Sequence, residues 1–431
     1  MKKHKLDIKQ VIISGFALFA IFFGAGNLII PPYLGLNSGQ GWFLASLGFN
    51  LSDSFLILLG ILAMSKRGAD PRKFGEKIGT NFGIILNLIC ITLVGPLLSI
   101  PRTGATTFEV AIVPFIPDFN NVLFSLIFFI LVYIITINGS KVIDRVGKYL
   151  TPILLIILVV LIIAGISAPS VNLATSQNNR LSDGFIEGYQ TMDSLGPVFL
   201  TVVILEDFRN KGFRSDDELK KASIYAGIIA VLGLAIVYTG LSYLGAKSSS
   251  FVDPSISRTS LLLSLTKNYL GKMGQIALSL VVGFACITTA VGLLSAFASS
   301  FSKNLGYKFT YEFYVRLGVT IGFVLSILGV EKIMEISIPI LLFIYPIVIS
   351  LYLLNLIDNE NMDPLIYKIV ICAVALVSMA DSLKVLHIDN FYTNMVGKLP
   401  LASYGFAFVF IFIISFILAN IISKLKSYWI N

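Results

Sequence analysis

The chain is poor in the side chains that carry most enzyme chemistry: among 431 residues it has two histidines, three cysteines and only 13% charged residues. His4 lies in a basic tail and His387 in a predicted outer loop, so no histidine pair stands at metal-ligand spacing. H-E-x-x-H, G-x-S-x-G and Walker A patterns are missing, and "GAGNLI" lacks the third glycine and the soluble helix of a dinucleotide site. These absences argue against hydrolase, nucleotide-driven and dinucleotide-binding classes, and no cofactor is expected. Cys90, Cys286 and Cys372 are odd in number and all fall in predicted spans, which suits small buried side chains rather than disulfide or metal chemistry.

What the chain has is apolar length. It is 56% hydrophobic with a mean hydropathy of +0.87, which places it among polytopic membrane proteins. Hydropathy with Gly, Pro and charge punctuation predicts twelve spans, near 9–34, 41–64, 80–101, 121–138, 149–167, 184–205, 222–245, 273–300, 312–329, 337–357, 364–381 and 401–422. The basic start followed by an apolar run resembles a signal peptide, but the run continues past the usual length and has no small-x-small cleavage site, so a retained helix is expected. No polar block is large enough to fold alone, which predicts one integral-membrane domain over 1–431.

Most of the 32 Lys and Arg residues fall in the tails and alternate loops, so both termini are expected in the cytoplasm. The net charge of +8 then reflects topology and contact with anionic inner-leaflet lipids, not nucleic acid. Nothing in the sequence calls for an obligate protein partner. Ser248 to Gly271 is long for a connector, and a short amphipathic pattern after Pro254 predicts a helical outer loop packed over the bundle. The acidic linker "DNENMD", Asp358 to Asp363, sets ten spans apart from a final pair.

Irregular backbone at membrane depth is tolerated only where it is buried or lines a watery cavity, so breaks in spans are informative. Gly24-Ala25-Gly26-Asn27 interrupts span 1, with Pro31-Pro32 beyond it, and Asp193, Ser194, Gly196 and Pro197 cluster in span 6. Spans 1 and 6 open two five-helix halves, 9–168 and 183–357, followed by accessory helices over 364–422. Paired interruptions at matching places point to an inverted-repeat carrier with a central site. The half-helix starting after a break offers N–H groups to a carboxylate, and the half ending there offers carbonyls to a cation or an ammonium. Without a pump motif, the energy has to come from an ion gradient or from the substrate's own gradient.

Polar residues inside spans add candidates. Asp193 can carry a coupling proton, attract a cation or ammonium, or cap the second half-helix. Thr288 and Thr289 offer hydroxyls to a hard cation such as Na⁺, or bond back to their own helix. Arg102 and Glu109, near the outer end of span 3, can pair with each other or form part of an outer gate. Glu331, Lys332 and Glu335 read as a solvated face, and Asp53 in span 2 has no partner that the sequence specifies.

"FGAGNLIIPP", "VGPLLSIPRTGATTFEV" and "GYQTMDSLGPVF" resemble the signature stretches of the branched-chain amino acid:cation symporter family, the bacterial BrnQ-type carriers, within the amino acid–polyamine–organocation superfamily. The resemblance runs over essentially the whole chain. It implies an all-α fold of the LeuT type with a 5+5 inverted repeat and two extra helices, and uptake of leucine, isoleucine and valine across a plasma membrane with Na⁺, or H⁺ in some members. It implies a substrate site on Gly24, Ala25, Gly26 and Asn27 for the carboxylate and on Gln190, Thr191, Asp193 and Ser194 for the ammonium. A Na⁺ site would fall on the carbonyls of Ala20, Phe23 and Ala285 and the hydroxyls of Thr288 and Thr289.

Overall fold

A computed structural model describes residues 8–24, 26–138, 141–169, 171–175, 181–213, 215–305, 308–359 and 361–430, and these are helical almost throughout. In chain order the α-helices are α1 Ile8–Phe22, α2 Gly26–Ser38, α3 Trp42–Asn50, α4 Leu56–Lys66, α5 Pro71–Gly75, α6 Phe82–Thr92, α7 Ser99–Thr107, α8 Asn121–Asn138 and α9 Lys141–Ser167. They continue as α10 Leu181–Tyr189, α11 Pro197–Asn210, α12 Asp216–Ser248, α13 Arg258–Asn304, α14 Tyr311–Ser326, α15 Val330–Ile357, α16 Pro364–Val385, α17 Phe391–Val396 and α18 Ala407–Ile430. Among the described residues, eight helical stretches are long and apolar enough to cross a membrane. Ile8–Phe22 and Pro152–Ser167 are apolar but shorter.

Large apolar side chains point outward along these helices, among them Ile156, Ile163, Ile236 and Leu280, as expected where the surrounding solvent is lipid. Cys90 and Cys286 are buried, whereas Cys372 is exposed on α16, so the expectation of three buried thiols fails at that position. Small residues draw the backbones together at the centre. A Cβ added at Gly35 would run into the main-chain carbonyl of Ser242, and one at Gly245 into that of Pro32, so α2 and α12 touch backbone to backbone.

Three helices contain π turns, Leu51–Phe55, Leu93–Leu97 and Phe108–Ile112. At the second, Gly95 leaves the helical region (φ −88°, ψ −117°) next to Pro96, and the chain restarts as α7. Helix therefore continues past the predicted end of span 3 and carries Arg102 inside the bundle. Of the predicted outer loop, Arg258 to Leu270 is helical, and Leu261, Leu262 and Leu265 are buried in the core. Gly271, with φ +68°, bends this segment away from the rest of α13.

The linker between α15 and α16 is fastened by charge. Asp358 Oδ2 lies 2.6 Å from both Arg67 Nη2 and Lys77 Nζ, and Tyr367 donates its hydroxyl to the same oxygen at 3.0 Å. Burial raises the Asp358 pKa, but the hydrogen bonds from Lys77, the Met362 N–H, Arg67 and Tyr367 outweigh it and bring the value down to about 2. A folded pKa below the unfolded one means stability that is present above roughly pH 4 and is lost as the pH falls toward the folded value. Asp358→Asn strands two cations, so thermal unfolding at neutral pH should show a loss of roughly 3 kcal/mol. The gap between variant and wild type should close as the pH falls from about 4 toward 2; a gap independent of pH in that range would refute the pairing.

Candidate functional site

Helix stops at Phe22 and resumes at Gly26, and between them the main chain leaves groups that one side chain satisfies. Asn27 Oδ1 accepts from the Gly24 N–H at 3.2 Å, and Asn27 Nδ2 donates to the Phe22 carbonyl at 3.1 Å. The same Nδ2 reaches Asp193 Oδ2 at 2.5 Å and the Tyr238 hydroxyl. Asp53 Oδ1 accepts from Thr191 Oγ1 at 2.6 Å, and the Thr191 oxygen accepts from the Asp193 N–H at 3.4 Å. Asn27, Asp53, Thr191, Asp193 and Tyr238 thus join spans 1, 2, 6 and 7 through one buried polar network.

The second interruption follows α10. The chain turns at Gln190–Met192, where Met192 takes the left-handed conformation (φ +67°), passes a 3₁₀ turn at Asp193–Leu195 and restarts as α11 with Pro197 in its first turn. The Ser194 hydroxyl donates to the carbonyls of Ser52 and Asp53 at 2.8 and 2.9 Å, groups that the π turn of span 2 presents. Gln190 turns its side chain to α15, where Ser337 donates to Oε1 at 2.6 Å.

A cavity of about 920 Å³ opens between these turns and runs along α1 as far as Ile13. Of the residues singled out in the sequence, Ala20, Gly24, Asn27, Arg102, Thr191, Asp193, Thr288 and Thr289 line it. Gly26, Phe23, Gln190, Ser194, Ala285 and Glu109 do not, and Ala25 lies outside the described residues. Phe23 stacks on Phe19 and approaches Tyr238, while Thr288 donates to the Ala285 carbonyl of its own helix at 2.9 Å. The remaining wall is mostly apolar, with Phe22, Val94, Phe199 and Leu293.

Arg102 and Glu109 do not pair with each other. The Arg102 guanidinium, 3% exposed, donates from Nη1 to the Gln190 carbonyl and from Nη2 to the Thr191 carbonyl at 3.3 Å. Glu109 accepts from Thr259 Oγ1 at 2.7 Å and from the Val330 N–H at 2.9 Å. The polar cluster on that side centres on Arg258, which pairs with Glu331 and with Glu187 (3.5 Å) and lies 4.2 Å from the centre of the Tyr33 ring. Glu331 is therefore a partner in this clasp although its side chain stays partly exposed; Lys332 and Glu335, both well exposed, pair with each other at 2.7 Å. Tyr238 and Arg258 escaped the sequence reading, although a phenol or a cation bordering an apolar span is itself a signal of an intramembrane or interfacial partner.

The fold and this central cavity define a multi-pass membrane carrier. The fold is shared with solved structures titled "Inward facing conformation of Mhp1" (TM-score 0.59, 15% identity, covering 95% of this chain and 91% of that one) and MhsT in complex with L-phenylalanine (TM-score 0.57, 16% identity, 87% and 98%). The family model "Branched-chain amino acid transport protein" matches residues 7–426, and the chain belongs to that family. Curated relatives include the branched-chain amino acid permease BraB of Bacillus subtilis, 36% identical over 421 residues (94% of each chain). Another is the permease BrnQ of Escherichia coli, 32% identical over 426 residues (97% of this chain, 96% of the relative). These relatives are permeases, and the chain is not an enzyme.

The double cap on the span 1 break gives a direct test. Asn27→Ala leaves the Gly24 N–H, the Phe22 carbonyl and Asp193 without their shared partner and should lower the stability of the purified protein by roughly 2–4 kcal/mol. Asn27→Ala combined with Asp193→Asn should cost less than the sum of the two single changes; strict additivity in thermal unfolding would show that the Asn27–Asp193 bond is not made.

Proposed function

We propose that this protein is a secondary active symporter that imports leucine, isoleucine and valine with Na⁺ across a bacterial plasma membrane by alternating access. Twelve crossings with both termini in the cytoplasm accommodate the helices, and the interruptions of spans 1 and 6 fall at mid-membrane. The substrate sits in the central cavity between the Gly24, Ala25, Gly26 and Asn27 turn and the Gln190, Thr191, Asp193 and Ser194 turn. The observation that carries this reading is the cavity itself, which combines a few charged and hydrogen-bonding groups with a wide apolar wall. Such a wall discriminates weakly, since one methylene is worth about 1–3 kcal/mol, so the three substrates should compete closely.

Na⁺ binds between spans 1 and 8, at the carbonyls of Ala20, Phe23 and Ala285 and the hydroxyls of Thr288 and Thr289. Support comes from Ala20, Thr288 and Thr289 lining the same cavity. The ion then links a moving group of spans 1, 2, 6 and 7, already joined by the Asn27 network, to a scaffold of spans 3, 4, 8 and 9. With the N-terminus inside, a cavity running toward the start of α1 and closed on the far side by the Arg258 clasp corresponds to an inward-open state. A second reading, coupling to H⁺, draws support from Asp53 and Asp193, two acids on spans 2 and 6: Thr191 donates to the Asp53 carboxylate and accepts from the main-chain N–H of Asp193.

Counterflow of labelled leucine in proteoliposomes, with choline replacing Na⁺ at fixed pH, separates these readings. Loss of counterflow in choline is expected; uptake that ignores Na⁺ and follows the pH gradient would transfer the coupling to the carboxyls, and no leucine flux under any gradient would end the substrate reading. Thr289→Ala should raise the Na⁺ concentration needed for half-maximal uptake about tenfold, the equivalent of one lost ligand contact of about 1.4 kcal/mol. Leucine affinity at saturating Na⁺ should change far less; an equal effect on both would place Thr289 outside the ion site.

A further inference from the structure

We infer that Arg102 and Asp193 form the zwitterion-reading pair of the cavity, the guanidinium taking the α-carboxylate and the Asp193 carboxylate taking the α-ammonium of a free amino acid. The assignment rests on the amino acid substrate proposed above and adds the groups that recognise its charged ends.

Arg102 carries a positive charge into the interior of a membrane protein, where an ion without a counter-charge is costly. Yet among the described residues no carboxylate stands within salt-bridge distance of it, and the partners of its Nη1 and Nη2 are the neutral main-chain carbonyls of Gln190 and Thr191. Those two bonds use part of a five-donor fork. The guanidinium lines the cavity and lies against the first turn of α2, since a Cβ at Gly26 would sit 2.5 Å from Nη2. A planar cation held from behind by two carbonyls and open to a cavity is the arrangement that receives a carboxylate.

The main-chain groups at the breaks are less available than the sequence suggested. The Gly24 N–H is taken by Asn27 Oδ1 and the Asn27 N–H by the Gly24 carbonyl at 3.2 Å. On the other side, the carbonyls of Gln190 and Thr191 face Arg102, and that of Ser194 accepts from the Tyr352 hydroxyl at 2.9 Å. An ammonium therefore finds its best partner in Asp193, which is half-buried and lines the cavity, with Oδ2 fixed by Asn27. The two ionic groups of an α-amino acid sit on one carbon, so their receptors have to be neighbours. Arg102 and Asp193 face the same cavity, and the guanidinium holds the carbonyl of Thr191, two residues before Asp193. A side chain anchored by this pair projects toward Phe22, Val94, Phe199 and Leu293.

Binding of leucine, leucinamide and 4-methylpentanoate to the purified full-length protein tests the pair. Leucinamide keeps the ammonium and removes the carboxylate charge; 4-methylpentanoate does the reverse. Wild type should bind leucine about 10- to 100-fold more tightly than leucinamide, the range for a hydrogen-bonded charge. In Arg102→Gln that ratio should fall to about threefold or less, because leucine affinity drops while leucinamide affinity holds. Asp193→Asn should likewise weaken leucine and leave 4-methylpentanoate unchanged. Arg102→Lys keeps the charge without the fork and should retain part of the discrimination, which serves where the Gln variant does not fold. Equal losses of leucine and leucinamide in Arg102→Gln, or a wild type indifferent to the carboxylate, would overturn the assignment and leave leucine transport standing. A wild type that binds leucine no better than glucose would instead overturn the substrate reading and this pair with it.

Discussion

The Asn27 carboxamide is the interaction on which the centre of the bundle depends. A helix interrupted inside a membrane protein frees N–H and carbonyl groups that lipid cannot satisfy, and here one side chain answers two of them, at Gly24 and Phe22. Having closed the break, it still reaches Asp193 and Tyr238. Removing it would unsettle three spans together, since it holds spans 6 and 7 directly and Asp193 leads on through Thr191 to Asp53 on span 2. The packing supports it, because α2 meets α12 through glycines that let the backbones touch about two turns beyond Asn27 and Tyr238.

Across the cavity span 3 contributes through Arg102. The π turn at Leu93–Leu97 and the distorted Gly95 end one helix and start another, and that restart aims the guanidinium at the turn after α10. A straight span would have carried the same residue toward the end of the bundle. Backbone irregularity in span 3 is thus as important to the site as the gaps in spans 1 and 6, although it leaves the helix almost continuous.

Family, helical class and membrane residence were legible in the sequence because they rest on composition, apolar length and short stretches of unusual residues. Several polar and small residues of the cavity lining were legible as well, since such residues in an apolar span have few reasons to be there, but the apolar wall was not. What escaped was pairing. Asp53 was visible as a buried acid, but its partner Thr191 lies on another span at a separation that no local pattern encodes. Arg102 was read as an outer-end residue because span 3 was expected to end near residue 101, whereas the helix breaks earlier, at Gly95, and resumes. Gln190 and Ser194 fell in the right turn, but their side chains are engaged by α15 and by the π turn of span 2.

Glu109 ties the beginning of α13 to the beginning of α15, one carboxylate oxygen to each. The helix that starts at this knot also carries Thr288 and Thr289 some thirty residues later, with Gly271 as its elbow. The first segment of α13 and the hydroxyls that line the cavity therefore belong to a single bent helix. Any displacement of the knot reaches those hydroxyls through the single bend at Gly271.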